Sequence, residues 1–410
     1  MKITFQVQAS ELYKALDAVS VVKPASGLPK GAAGYLFVVK GDQCSIHSRN
    51  LSHMARTSLK VEVLPDGDAE GSFLYPADYI GGFKYLGDDV VEITATDKDN
   101  NYSVSYTSMS QANVVHPTVD HRLLTPIDKD LENAASETTY PVLLLKEALR
   151  VSQTFVLPES QEENGTVHLF DSSTEEQKEG NGCLYASNGT SACYFKTDAL
   201  KDKGLTAHAN SLAGISEFLS WCTSEVIVRT GPKGTFLINE QGWVFGWSHP
   251  TKTYSKYMYY SPSMDKIVCT ISALTALNVL SYLECELPKD TRRVKVEYSD
   301  NPKKLVFSAA ESDHRVVGFP VPVEGESTES LTLYVNIDRF KDLFQGAKGK
   351  DLQMRFFPHA GSTKSKAKVL IRTIDEFILD KEGKLVGGSG TDQPEGTHRC
   401  MVTRFMMSMA

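Results

Sequence analysis

The chain has 410 residues but no run of about eighteen apolar residues, the least a membrane-spanning helix needs. Its first residues, Met1-Lys2-Ile3-Thr4-Phe5-Gln6-Val7, alternate apolar with polar and do not form the basic-then-apolar pattern of a signal peptide. A soluble, cytoplasmic protein with no membrane partner is expected. The seven cysteines are scattered, odd in number and free of any C-x-x-C pair, which excludes a disulfide framework and the common zinc sites. They read as small buried hydrophobes in a reducing compartment. The ten histidines contain no pair at i, i+3 or i+4, so they signal no metal site. No dinucleotide fingerprint, P-loop, nucleophile elbow or H-E-x-x-H occurs. Gly231-Pro232-Lys233-Gly234-Thr235 lacks P-loop spacing and reads as a hairpin turn, and Asp97-Lys98-Asp99-Asn100-Asn101 lacks the later ligands of a calcium loop. No catalytic residue and no cofactor is implied. Without a signal peptide, the Asn-Gly-Thr sequons at Asn164 and Asn188 read as turns.

An excess of basic charge is also missing. The net charge of -8 argues against a protein that coats nucleic acid with its whole surface, because such binding draws on surplus Lys and Arg to displace condensed counterions. A local basic face inside an acidic exterior is still allowed. The hydrophobic share of 41% is ordinary for a globular chain, and the length suits two or three domains.

What the sequence does contain is one pattern written three times, with a period of roughly 130 residues. Each copy opens with a strand and an amphipathic helix, passes through alternating strands, and then carries a second helix that leads into another strand. The first helices are expected at 11–19, 144–152 and 272–280. Leu12, Ala15, Leu16 and Val19 fall at i, i+3, i+4 and i+7, one face of a 3.6-residue helix, with Ser10 and Ser272 as N-caps. The second helices are expected at 76–86, 210–221 and 336–344, followed by strands at 90–94, 225–229 and 352–356. Gly81-Gly82 weakens the first of these helices by about 1 kcal/mol per glycine relative to alanine. The class is α+β, with domains at 1–134, 135–262 and 263–410. Polar joints are expected near 118–138 and 248–264, and an open, mobile loop at 380–396.

These residues resemble a known family. The Lys2-Ile3-Thr4-Phe5 strand, the Leu12-x-x-x-Leu16 helix, the Ser48–Met54 turn and Tyr75-Pro76-Ala77 at the second helix are similar to the first domain of bacterial DNA polymerase III beta subunits, the beta sliding clamps. The Ala186–Ala192 segment resembles their second-domain turn, and Tyr254–Pro262 their linker to the third domain. No single motif is specific; their order through three copies carries the resemblance. The departures from the family pattern mark a divergent member and favour a phage-encoded copy.

The resemblance implies three similar clamp domains, each with two helices packed on antiparallel sheets. It implies a head-to-tail homodimeric ring that encircles duplex DNA without sequence preference and tethers the polymerase, with a clamp loader as a further partner. Closure around the duplex makes weak, mobile phosphate contacts sufficient. The cations placed for that role are Lys14, Lys84, Lys146, Arg150, Arg339 and Lys341, with Lys23 just past the first helix. Lys146, Arg150 and Gln153 share one helix face. The second helix of domain two and the first of domain three carry no basic residue, so the lining is uneven. Ordinary solvated helix charges are the competing reading for each.

Ring closure by position falls on Tyr106, Val279 and Leu280, the last two equally readable as core. The partner-peptide pocket carries over to Ser187, Gly189, Thr190 and Ser191 of the turn, Tyr257 and Met258 of the linker, and Met401, Val402, Arg404, Phe405 and Met406 of the final strand. The family's His-Arg pair is here Thr190-Ser191, and its Met-Pro-x-Arg-Leu end is Phe405-Met406-Met407-Ser408-Met409. A methionine-walled pocket with altered preference fits these changes, as does a merely buried strand. Two further readings stand beside the clamp: a clamp-fold scaffold that binds replication proteins without encircling DNA, and an unrelated three-domain structural protein such as a virion component.

Overall fold

The computed structural model describes residues 1–23, 33–98, 101–108, 113–120, 122, 124–157, 165–171, 182–188, 191–197, 199–200, 205–249, 267–287, 292–300, 302–309, 319–325, 331–359 and 368–409. Their helices are α1 (Ala9–Ser20), α2 (Asp128–Glu132), α3 (Val142–Gln153), α4 (Ala209–Ser220), α5 (Ala273–Glu286) and α6 (Ile337–Asp342). The element order strand, helix, strands, helix, strands runs through the chain three times. In the first pass the second helix is a 3-10 segment, Ala77–Tyr85, with Gly81-Gly82 at its centre. Two adjacent glycines forfeit the propensity that would hold an α-helix there.

The chain packs as two compact units, Met1–Val142 with Asn210–His249, and Leu143–Ala209 with Pro250–Ala410. Strand ladders hold each unit together. In the first unit, Ser136–Pro141, Glu225–Gly231, Gly234–Ile238 and Val244–Trp247 continue into His53–Lys60, Gln43–Arg49, Gly34–Lys40 and Glu70–Pro76 as one antiparallel sheet. The join pairs Trp247 with His53 and Val244 with Arg56. A second sheet orders Glu62–Val63, Lys2–Gln8, Val90–Lys98, Asn101–Ser108 and Asn113–Pro117. Helix α1 buries Leu12, Ala15, Leu16 and Val19, the face its spacing predicts. A fully buried leucine of this kind contributes about 1.5–3 kcal/mol by leaving water. Ser10 is not the cap: the helix starts two residues earlier than expected, after Gln8, and the Ser10 hydroxyl donates to Asp88 at 3.1 Å.

The expected polar joint at 118–138 contains a packed element. Helix α2 places Leu131, with Ile127 and Ala134, against Met54, Phe236 and Val244. Four side chains pin it from outside. Asp128 meets Arg56 at 3.2 Å and His47 at 3.8 Å, and Asp130 meets Arg49 at 2.5 Å and Lys233 at 2.8 Å. Lys233 comes from the Gly231–Gly234 hairpin turn, as the sequence predicts for that glycine pair.

In the second unit, His398–Met409 is the central strand. It pairs with Ser191–Thr197 on one side and, along its whole length, with Lys368–Leu379 on the other. The core gathers α5 and α6 onto the sheet through Leu280, Leu283, Phe340, Phe344, Phe307 and Met406. Ser272 caps α5 by accepting from the Thr275 amide at 3.3 Å, and Asn336 caps α6 by accepting from the Arg339 amide at 3.1 Å. The segment expected as an open loop at 380–396 is tied down. Asp380 Oδ1 accepts from the Glu382 and Lys384 amides at 2.9 and 2.8 Å, Gly383 takes the positive φ of 77° that the turn requires, and Leu385–Gly388 then pairs with Lys368–Leu379.

Candidate nucleic-acid interface

Each amphipathic helix turns its apolar face to a sheet and leaves its polar face outward, so helix faces are where cations can meet a polyanion. On α1, Lys14 is exposed and its Nζ lies 5.8 Å from the centroid of the Trp243 ring, a cation–π distance that orders the side chain without neutralising it. Lys23 and Lys84 are exposed and Lys146 is half-buried. None of these four has an ion pair with a described residue. On α3, Arg150 and Gln153 are exposed and, with Lys146, follow the helical spacing the sequence predicts.

Three of the candidate cations are already partnered. Arg150 donates to Glu147 from Nε and Nη2 at 3.0 and 2.7 Å, and also to the Gly346 carbonyl at 3.2 Å. Arg339 lies 3.7 Å from Asp342 and Lys341 lies 2.6 Å from Glu284. Arg292, which the sequence reading passed over, bridges Glu284 of α5 and Asp338 of α6. Burial pushes the Asp342 carboxyl up to about 6, with Arg339 pulling the other way. Lys348 was also missed; it follows α6 in a Lys348-Gly349-Lys350 run and lies 3.7 Å from Glu147.

The described candidate pocket residues of the final strand fall on both of its faces. Along His398–Met409, side chains alternate: Met401 and Phe405 are half-buried, while Val402, Arg404 and Met406 are buried on the opposite side. Phe405 meets the Tyr194 ring edge-on at 5.4 Å. Arg404, expected as pocket lining, is 1% exposed and belongs to the interior. Ser187 and Ser191 are buried, and Asn188 Oδ1 accepts from the Ser191 amide and hydroxyl at 2.8 and 3.0 Å. Gly189, Thr190, Tyr257 and Met258 lie outside the described residues, as does Asn164.

Of the closure candidates, Leu280 is fully buried in the core of its own unit and Val279 packs half-buried beside it. The helical period turns Leu280 inward, so its side chain is spent on that core. Tyr106 is not on the sheet edge. Its strand, Asn101–Ser108, lies between Val90–Lys98 and Asn113–Pro117, and its ring contacts Phe83 at 5.0 Å. Among the described residues the edge strand on that side is Asn113–Pro117, where Val115 is 63% exposed and His116 stacks on Tyr79 at 4.0 Å.

Among the described residues, no group of three His, Cys, Asp or Glu side chains is placed to hold a metal ion. Among the same residues, no helix is long and apolar enough to cross a membrane.

Three passes of strand, helix, strands, helix and strands on antiparallel sheets, with cations on outward helix faces, define the class: this is the sliding-clamp fold. No family model and no curated protein matches the sequence. Solved structures match it over its full length. The beta sliding clamp of Caulobacter crescentus gives a TM-score of 0.76 at 13% identity, covering 100% of this chain and 99% of that one. The sliding clamp of Pseudomonas aeruginosa, DNA polymerase III subunit beta, gives 0.74 at 14%, covering 100% of both chains. The DNA polymerase III beta subunit of Thermotoga maritima gives 0.69 at 16%, covering 100% of this chain and 99% of that one. The chain has the bacterial beta-clamp fold from end to end, in a sequence far diverged from these structures.

Proposed function

We propose that the chain is a DNA sliding clamp: a non-catalytic processivity factor that closes around duplex DNA and tethers a replicative polymerase in the cytoplasm. The observation that carries this reading is full-length agreement with beta clamps in a chain whose element order repeats three times. Under it the chain divides into clamp domains at 1–134, 135–262 and 263–410, and a copy joins head to tail with a second copy. The surfaces suited to that junction carry exposed apolar groups. On the first unit these are Tyr79 and Val115 beside the Asn113–Pro117 edge; on the second, Tyr282, 52% exposed, meets Phe319 edge-on at 5.0 Å. An edge strand with unpaired backbone groups and no charged side chain is a ready template for pairing. Lys14, Lys23, Lys84 and Lys146 supply mobile phosphate contacts, and Met401 with Phe405 offers soft and aromatic anchor surface for a partner peptide. A clamp loader completes the expected partners.

A second reading, a clamp-fold scaffold that does not encircle DNA, is favoured by α4 and α5, which carry no basic residue, and by the ion pairs that occupy Arg150, Arg339 and Lys341. Light scattering in solution separates the two. The clamp reading expects a mass twice the 45.2 kDa of one chain; a monomer that persists at micromolar concentration turns the assignment to the scaffold.

A further inference from the structure

Among the described residues, Asn113–Pro117 of the first unit and Phe319–Pro322 of the second each end a sheet with a free outer edge. In an antiparallel ladder alternate residues turn both backbone groups to one neighbour, and the residues between them turn theirs the other way. The phase of Asn113–Pro117 is set by the Thr118 amide, which donates to the Tyr102 carbonyl at 3.0 Å in the register that pairs Ser103 with Pro117. Val114 and His116 therefore bond within their own sheet, and the amides of Asn113 and Val115 face outward. The phase of Phe319–Pro322 is set by the Val323 amide, which donates to the Lys303 carbonyl at 3.5 Å in the register that pairs Lys304 with Pro322. Phe319 and Val321 bond inward, and the outward positions are Pro320 and Pro322. Proline has no N–H, so over this strand the edge presents carbonyls and no donor.

We propose that Pro320 and Pro322 make the junction between copies of this chain a one-way ladder of reduced strength, with Asn113–Pro117 of a second copy as the occupant of the Phe319–Pro322 edge. The proposal rests on the ring reading above. An edge without donors rejects a second edge of its own kind, because carbonyl would face carbonyl, and admits one that brings amides. Asn113–Pro117 brings them. Set antiparallel, Val115 opposes Pro320 and Asn113 opposes Pro322. Such a pair exchanges two hydrogen bonds when both residues carry an amide, and here each keeps only the bond that ends on the proline carbonyl. Neither strand contains Lys, Arg, Asp or Glu, so no charge has to be desolvated as they meet. Pro320 and Pro322 are exposed while Val321 between them is buried, so the two rings lie outside the core of their own unit.

The test is the dimer dissociation constant of the full chain, from sedimentation velocity over a dilution series that starts at micromolar concentration. Pro320→Ala with Pro322→Ala restores both outward amides and is expected to lower the constant by at least about tenfold, because a closed dimer contains the junction twice. Val115→Pro removes a donor from the facing edge and leaves the bonds to its own sheet in place; it is expected to raise the constant by about tenfold. An alanine pair that binds no tighter than wild type overturns the proposal and leaves the ring reading standing, and so does a Val115→Pro dimer as tight as wild type. Should Val115→Pro not fold, the alanine pair decides alone. A chain that stays monomeric at micromolar concentration with and without the substitutions sinks the ring reading and this proposal together, and leaves the edge to a strand of another protein.

Discussion

Leu280→Ala distinguishes a residue that holds its own unit together from one that holds two copies together. Leu280 is 0% exposed and packs with Ala276, Leu283, Phe307 and Phe340. Truncating it removes three carbons from a closed core, which costs the lost transfer free energy plus a cavity term, about 3 kcal/mol within a range of roughly 2–5. With a urea m-value of about 3 kcal/mol/M, reasonable for a large cooperative unit, the midpoint falls by about 1 M. Urea unfolding followed by tryptophan fluorescence and circular dichroism, at several protein concentrations, is the assay. The packing predicts the same midpoint shift at every concentration, with unchanged mass for the folded fraction at low denaturant. Tyr282→Ala should do the opposite, because a side chain 52% exposed gives up little core but loses aromatic surface at the proposed junction. If Leu280→Ala shifts the dimer–monomer balance while leaving the unfolding midpoint in place, the assignment of Leu280 to the core is refuted.

Other consequences follow from the same packing. Gly81→Ala should raise stability by about 0.5–1 kcal/mol, because a Cβ there meets nothing within 4 Å and alanine gains helix propensity; a thermal melt below wild type would contradict this. Asp342 holds its proton up to about pH 6 because burial penalises its charge, so the folded state binds more protons than the unfolded one between roughly pH 4 and 6. Stability should therefore fall as pH rises through that window, and Asp342→Asn should remove that part of the decline in a pH series of urea midpoints. Burial works against the Asp130 carboxylate, but hydrogen bonds from Lys233 and Arg49 outweigh it and hold its pKa below the ordinary value. Its contribution is present above the unfolded pKa of about 4 and is lost as pH falls through the folded value, so Asp130→Asn should lower the midpoint at pH 7 and bring it nearer wild type in strong acid.

Periodicity made much of this fold legible. The i, i+3, i+4, i+7 face of α1, the order of helices and strands in each third, and the Gly231–Gly234 hairpin follow from residue spacing and turn chemistry alone. The candidate site was less legible, because position relative to a family says nothing about which way a side chain points. Period-two alternation along residues 398–409 groups Arg404 with Val402 and Met406, opposite Met401 and Phe405, and that signal was available in the sequence. The Asn113–Pro117 strand is short and ends in proline, so nothing in the sequence announced that it would displace the Tyr106 strand from the sheet edge. Ion pairing between distant positions, such as Lys341 with Glu284 or Lys348 with Glu147, is set by tertiary packing and leaves no local trace. The glycine pair at 81–82 did carry its message: the helix it interrupts survives only as a 3-10 segment.

The central claim is that the protein encircles duplex DNA, and topology tests it most directly. The chain is placed on a nicked circular duplex with a suitable loader, separated from free protein, and the circle is then cut at one site. A ring that is held by closure stays on the circle at moderate salt and leaves once the DNA has ends. Loss from the intact circle at the same rate as from the linear form, or retention on both, would contradict the account.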